Sequence, residues 1–569
     1  MSRLRTRWRA APDVDQSAMR ALGTELSVPD SVARMLVLRG YGEAASAKRF
    51  LRPRLEQLHD ASTMTSLDAA VERLVRAIRG GELIMIHGDY DVDGICSATL
   101  LTRTLRGLGG NAFPFIPHRL TDGYDLGAAG VQKAIESGAR VVVTCDCGTS
   151  ALTPVADLNA AGIDVVISDH HLPGGPLPSS LALLNPRRDG CGYPDKDLAA
   201  VGVAFKLALA LAAALGASDA FIWKMLDLVA LATVADVAPL RGENRVFVRY
   251  GLKMIAETEN VGLRALLRAS GMDGKPLTAG RLGFTLGPRL NAAGRLGHAL
   301  RGVELLMTDS PHEANVIARE LEELNQRRQT LDRTSLDEAR SMVERLPQDD
   351  TFGIVLGKQG WHPGVVGIVA SRIVEEFGRP AILVALDGDT GKGSGRSITA
   401  FDLHSALGEC RDLLQRFGGH RAAAGVTVSA DRMDAFATRF NDVARDRLTR
   451  DDLFPELRVD IELELDHATL ELETVLRHFE PFGIGNPAPV FAARNVTAAA
   501  APRTVGRDGL KLRLVGASGA QVDAIGWGMA DMAPRIRPGI PLDVAFRLER
   551  DEYQGESRLQ AKLADIVVR

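Results

Sequence analysis

Four short apolar runs, 82–87 (ELIMIH), 139–144 (ARVVVT), 163–168 (IDVVIS) and 181–184 (LALL), are separated by alanine-rich stretches such as 97–108 and 128–136. Such nearly continuous apolar runs have no polar face to turn toward water, so both of their sides must be covered. The helical stretches between them supply that cover, and the alternation predicts a parallel α/β sheet. The residues at the end of each run are more informative still. The first leads into His87-Gly88-Asp89-Tyr90-Asp91-Val92-Asp93-Gly94, the second into Cys145-Asp146-Cys147-Gly148 and the third into Ser168-Asp169-His170-His171. In an open parallel sheet the ligand crevice lies outside the carboxyl ends of the strands, so these acids and imidazoles are expected to converge. A fourth acid, Asp236, sits in the apolar helical run 226–240 (LDLVALATVADVAPL), where a carboxylate is costly unless it is paired or ligated.

Carboxylates this dense repel one another and take up protons unless cations neutralise them. Several Asp with His point to a metal site, and the number of acids points to two ions. Oxygen donors suit Mn²⁺ or Mg²⁺, and the imidazoles shift the preference toward Mn²⁺. Two ions roughly 3.5–4 Å apart are the usual device for in-line displacement at phosphorus. A calcium loop beginning at Asp89 is excluded, because its twelfth position is Leu100 where a Glu is required. Cys145 and Cys147 flank Asp146 and are expected to pack rather than ligate.

The other features bound the remaining classes. The 68 Lys+Arg nearly balance the 72 Asp+Glu, giving a net charge of -4 and excluding a polybasic mode of nucleic-acid binding, though not a local basic groove. Five cysteines without a C-x-x-C pair argue against a disulfide framework or a structural zinc site and suggest a reducing compartment. No run reaches the roughly 18 apolar residues of a membrane span, so a soluble, cytoplasmic protein is expected. The arginines at 3, 5, 7 and 9 lack the apolar stretch of a secretory signal.

Residues 1–80 read as helical. Residues 311–345 read as one linker helix, with Ile317, Leu321, Leu324 and Leu331 on a stripe and the charges expected to face solvent. A second α/β unit is expected over 346–450, and alternating segments such as 510–515 and 542–548 predict a β-barrel over 457–569.

The metal motifs resemble the DHH phosphoesterase superfamily, named for Asp169-His170-His171, and within it the RecJ family of single-strand-specific 5′→3′ exonucleases. Gly287-Pro288-Arg289-Leu290-Asn291-Ala292-Ala293-Gly294-Arg295 looks like that family's GPR-x-NAAGR signature. Pro117-His118-Arg119 and Asp122-Gly123-Tyr124 resemble a DNA-contacting segment, with Asp122 where Glu is usual. Trp361-His362-Pro363-Gly364, Gly393-Ser394-Gly395-Arg396-Ser397 and Gly418-Gly419-His420 resemble the DHHA1 domain, and Pro481-Phe482-Gly483-Ile484-Gly485-Asn486-Pro487 the RecJ OB-fold domain.

The resemblance implies an α/β parallel-sheet DHH domain over 81–310, joined by the long helix to a smaller α/β DHHA1 domain, with the OB-like barrel binding single strands. It implies two Mn²⁺ or Mg²⁺ ions on Asp91, Asp93, Asp146, His170, His171 and Asp236, with His87, Asp89 and Asp169 as ligands or supporting groups. A pocket for the terminal 5′-phosphate is expected from Arg119, Arg289, Asn291, Arg295, Ser394, Arg396 and His420. The glycine-rich segment at 393–397 is read as a turn through which the backbone approaches an anion, and it is not a Walker A loop. Arg503, Arg507, Lys511 and Arg513 are candidate groove residues on the barrel.

The expected activity is stepwise hydrolysis of single-stranded DNA to mononucleotides in recombination and repair. A monomer is expected, with a single-strand-binding protein and a helicase as further partners. The alternatives are a phosphoesterase of short oligonucleotides or cyclic dinucleotides, or an inactive DNA-binding scaffold.

Overall fold

The computed structural model describes residues 6–119, 121–123, 125–553 and 556–569. Arg3, Arg5 and Tyr124 lie outside the described residues. The chain forms two compact units. The larger is Leu55–Leu453 with Gly483–Gly485, and the smaller joins Met1–Arg54 to Phe454–Phe482 and Asn486–Arg569.

In the larger unit, β1 (Leu83–Gly88), β2 (Asn111–Phe115), β3 (Val141–Cys145), β4 (Asp164–Ser168) and β5 (Ala182–Leu184) form a parallel sheet in the order β2-β1-β3-β4-β5. Val141, Val142, Val143, Val165, Val166 and Ile167 are fully buried, as covered strands require. β2 has no counterpart among the apolar runs of the sequence. It contains Pro114, which cannot donate to a ladder and is tolerated because β2 is an edge strand. Helices α1 (Val92–Gly107), α2 (Ala128–Ser137), α3 (Leu152–Ala160), α4 (Ala200–Leu215) and α5 (Leu226–Ala235) come in chain order, and α5 is buried from Leu226 to Thr233.

A π-helical turn, Leu282–Leu286, leads into α6 (Gly287–Leu296). The long helix α7 (Pro311–Val343) begins at the Ser310 cap, whose hydroxyl accepts from Glu313 N, and its 33 residues span about 50 Å. Its first half buries Ala314, Ile317, Ala318 and Leu321 in the core of the first sheet. Its last turns bury Leu336, Ala339 and Val343 against a second sheet. The expectation that its charges face solvent fails in the middle of the helix, where Asn325, Arg328 and Asp332 are buried.

The second sheet runs β9-β10-β8-β7-β6, from β6 (Ile354–Gln359), β7 (Ala381–Asp387), β8 (Thr390–Arg396), β9 (Arg416–Gly419) and β10 (Ala423–Ser429). The glycine-rich segment is therefore not a turn. It is the central strand β8, where a Cβ on Gly393 would meet Val426 Cγ2 at 2.7 Å and Val384 Cγ2 at 2.9 Å. Glycines on one face let Lys392, Ser394 and Arg396 occupy the other.

In the smaller unit, seven strands from Ile461–Glu462 to Glu556–Val568 form one sheet, closed by pairing of Phe491–Ala498 with Gly509–Val515. The N-terminal residues do not form one segment to residue 80. Arg7–Ala10 pairs parallel with Glu456–Val459, and Leu22, Met35, Leu36 and Phe50 share a core with Phe479, Phe491 and Phe546 of the barrel. Among the described residues, no helix is long and apolar enough to cross a membrane.

Candidate metal centre

Three acids stand side by side because each lies one residue beyond its strand and is tied to the next one. Asp89 N donates to Cys145 O at 3.1 Å, Asp146 N to Ser168 O at 3.0 Å and Asp169 N to Leu184 O at 3.0 Å. The step between neighbouring strands is about 4.8 Å, so the acids are spaced to share cations. Asp91 caps α1, its Oδ1 accepting from Asp93 N at 2.9 Å and Gly94 N at 3.2 Å. That tight loop needs Gly94, because a Cβ there would collide with the Asp89 backbone. Asp93 is held at the start of α4, accepting from Ala200 N and Val201 N, both at 2.8 Å. Asp236 closes the site from the end of α5.

The two histidines differ. His170 Nδ1 lies 3.2 Å from Leu198 O, an acceptor only, so that nitrogen carries the proton and Nε2 is left with a bare lone pair. Nε2 faces Asp146 Oδ1 at 3.2 Å and Asp236 Oδ2 at 3.7 Å. His171 Nδ1 instead bonds Asp169 Oδ1 at 2.8 Å. Asp169 also accepts from the backbone of Thr149, His170 and His171, so it orients the histidines and has little capacity left for an ion. Three groupings hold ligand atoms within 4.8 Å of one another: Asp146 with His170 and His171, Asp93 with His170 and Asp236, and Asp89 with Asp91 and Asp146.

The electrostatics are those of a cation site. Burial, reinforced by neighbouring acids, pushes Asp89, Asp146 and Asp236 well above the usual carboxylate range and Asp93 up to about 7. Burial, with His171 beside it, lowers His170 to about 4. Burial would lower His171 as well, but its bond to Asp169 and the charges of Asp236 and Asp89 hold it at about 9. His170 Nε2, Asp146 Oδ1 and Asp89 Oδ1 are buried polar atoms without a hydrogen-bond partner. Donors of this kind, oxygen with one or two imidazoles, fit Mn²⁺ or Mg²⁺.

His87 is not brought into any of these groupings. It is fully buried, with Nδ1 3.6 Å from Cys147 Sγ and its ring against Gly130.

Of the residues expected to hold phosphate, four carry cationic or hydroxyl groups toward one region. Arg119 lies over the Tyr90 ring at 4.5 Å. Arg295 donates to Gly364 O at 2.9 Å, and burial with the nearby charges of Arg119, Arg328 and Arg396 lowers it to about 10. Arg396 Nη1 donates to Ser394 Oγ at 3.0 Å and Gly395 O at 2.8 Å. Burial and then the charge of Arg119 lower Arg396 as well, and arginines gathered this closely leave an excess of positive charge for an anion.

Three others are placed differently. Arg289 is neutralised by Glu322 at 2.5 Å, Asn291 Oδ1 accepts from Val92 N at 3.2 Å beside the acids, and His420 sits on an exposed turn. Sequence reasoning missed Arg328, Asp332 and Arg372. The buried Asp332 lies 3.1 Å from the half-exposed Arg372 and 3.7 Å from the buried Arg328, and it also feels the charge of Arg295. Nothing in the sequence separates Arg328 and Asp332 from the solvated charges of the same helix, and Arg372 lies on a later helix, Val366–Phe377.

On the barrel, Arg513 is paired with Asp523 at 2.7 Å, whereas Arg503 and Lys511 face each other across the ladder. Trp527, also missed, is exposed against the turn containing Gly506 and Gly509.

Three family models match this chain: the DHH family N-terminal domain over residues 83–233, the DHHA1 domain over 350–446 and the RecJ OB domain over 459–565. The single-stranded-DNA-specific exonuclease RecJ of Bacillus subtilis is 37% identical over 557 residues, covering 97% of this chain and 70% of that protein. The crystal structure of RecJ from Thermus thermophilus in complex with Mn²⁺ superposes with a TM-score of 0.85 at 33% identity, covering 99% of this chain and 80% of that one. Its complex with Mg²⁺ gives a TM-score of 0.79 at 32% identity, with coverages of 99% and 78%.

Proposed function

This chain belongs to the RecJ family of single-stranded-DNA-specific exonucleases, and from that premise we propose that it degrades single-stranded DNA from the 5′ end to mononucleotides. The observation that carries the reading is the set of three overlapping acid and histidine groupings around buried, partnerless ligand atoms.

The protein is a metal-dependent nuclease using Mn²⁺ or Mg²⁺. When bound, such ions neutralise charge on a phosphate and lower the pKa of water. Asp91, Asp93, Asp146, His170, His171 and Asp236 would hold them, with Asp89 completing the third grouping and Asp169 fixing the histidines. Arg119, Arg295, Ser394 and Arg396 hold the terminal 5′-phosphate. The guanidinium pair supplies a forked fit, and the glycine-backed strand β8 lets Ser394 and Arg396 stand clear of the core.

With the end fixed there, the next phosphodiester lies at the acids. Water adds to its phosphorus, the P–O3′ bond breaks, and the first nucleotide leaves with its 5′-phosphate. The shortened strand again begins with a 5′-phosphate, so each product is a new substrate. Asp332 and Arg328 act through Arg295 and Arg372 and position the pocket.

Within this reading the catalytic domain is 81–310, the substrate-binding domain 346–450 and the single-strand-binding barrel 457–569. Trp527, Arg503 and Lys511 on the barrel suit a base and a phosphate backbone. A cytoplasmic monomer acting in recombination and repair, supplied with strands by a helicase and a single-strand-binding protein, completes the proposal.

The test is incubation of 5′-phosphorylated single- and double-stranded DNA with Mn²⁺ or Mg²⁺, with and without EDTA. Metal-dependent loss of the single strand is expected. Preferential digestion of the duplex would overturn the reading.

A further inference from the structure

Beside Asp236 the chain exposes two apolar side chains. Phe284 is 88% exposed and Val237 59%. Single exposed hydrophobics are ordinary on a protein surface, so the position of this pair is what matters. Phe284 is the middle residue of the π-helical turn Leu282–Leu286, between the buried Leu282 and Leu286. The turn is laid on the end of α5. A Cβ on Gly283 would meet Val234 Cγ1 at 3.4 Å, and one on Gly287 would meet Ala235 Cβ at 3.2 Å, just before Asp236.

Val237, on the other side of Asp236, holds φ at 62°, a left-handed conformation that a β-branched side chain adopts only at a cost. A widened helical turn and a strained valine thus bracket one carboxylate, and each turns hydrocarbon outward. Both are irregularities of the kind kept at functional sites. In the exonuclease reading, on which this inference rests, the cations and metal site account for the phosphates of the strand. Apart from Trp527 on the barrel, no group assigned so far meets the flat apolar faces of its bases.

We propose that Phe284, flanked by Val237, stacks on a nucleobase of the substrate strand next to the phosphodiester being cleaved. It is a substrate-positioning residue that favours a single strand, since the bases of a duplex are already stacked on one another. One base stacked on an aromatic ring is worth about tenfold in affinity.

The test compares the full chain with Phe284→Ala and Phe284→Tyr. Steady-state digestion with Mn²⁺ is measured on a 5′-phosphorylated oligothymidylate and on the same oligomer with abasic nucleotides near the 5′ end. Binding of both oligomers is measured in EDTA by fluorescence anisotropy. Phe284→Ala is expected to raise KM and weaken binding about tenfold on the normal strand, Phe284→Tyr to restore both, and the difference to vanish on the abasic strand. A normal KM for Phe284→Ala, or an equal loss on both strands, would overturn the inference while leaving the exonuclease reading intact. A wild-type chain that neither digests nor binds either strand would overturn both.

Discussion

His170 Nε2 and Asp146 Oδ1 stand 3.2 Å apart with no His170 proton between them, because that proton is committed to Leu198 O on the opposite side of the ring. With Asp146 held well above the usual carboxylate range, a proton relieves that contact in the metal-free site and a bound cation would take its place. His170→Ala and Asp146→Ala are therefore each expected to abolish cleavage. Single-strand binding, measured by anisotropy in EDTA, should stay within about twofold. Nuclease activity surviving both changes would remove these residues from the metal site.

Asp169 holds its charge against complete burial because His171 and three backbone N–H groups bond to it. Asp169→Asn keeps most of the shape and loses the charge that orients the imidazoles. Mn²⁺ affinity should fall about 10–100-fold by calorimetry, with the far-UV circular dichroism unchanged.

The raised acids set the sign of the pH dependence. Asp93 at about 7, with Asp89, Asp146 and Asp236 also above the usual range, means that the metal-free cluster binds more protons than the unfolded chain. Metal-free stability is thus full at low pH and is lost as pH rises from about 4 through about 7. Metal must displace those protons, so Mn²⁺ affinity should rise from about pH 6 to about pH 8 with proton release. Calorimetry in buffers of different ionisation enthalpy measures the release, and melting with and without Mn²⁺ measures the stability. A metal-free protein that grows more stable over this range would contradict the assignment.

On β8, the two faces should separate stability from binding. Gly393→Ala forces a methyl group against Val426 and Val384 and should cost about 1–3 kcal/mol in urea denaturation. Arg396→Ala, on the other face, should raise KM for a 5′-phosphorylated strand and leave a 5′-hydroxyl strand less affected. Equal losses on the two ends would remove Arg396 from the phosphate pocket.

The parallel sheet and its acids were legible because fully covered strands announce themselves as valine and isoleucine runs, and the acids come directly after them. β2 was hidden by Pro114 and by its place at an edge, where a strand needs only one partner. Residues 393–397 suggested a turn because composition does not reveal that Val384, Val426 and Leu403 leave no room for side chains at Gly393 and Gly395. Asn325, Arg328 and Asp332 looked solvated because the elements that bury them are remote in sequence. The attachment of residues 7–10 to residues 456–459 was equally invisible, resting on backbone pairing with no local signature.

The long helix α7 is anchored at one end by Ile317 and Leu321 in the first core and at the other by Leu336 and Val343 in the second. A rod clamped in two cores has no joint, so the gauge between the two sheets is built in rather than set by what arrives. In the exonuclease reading, a strand drawn between them would have to be fed in by an end, as through a wire die, and a closed circle of the same sequence would offer nothing to thread.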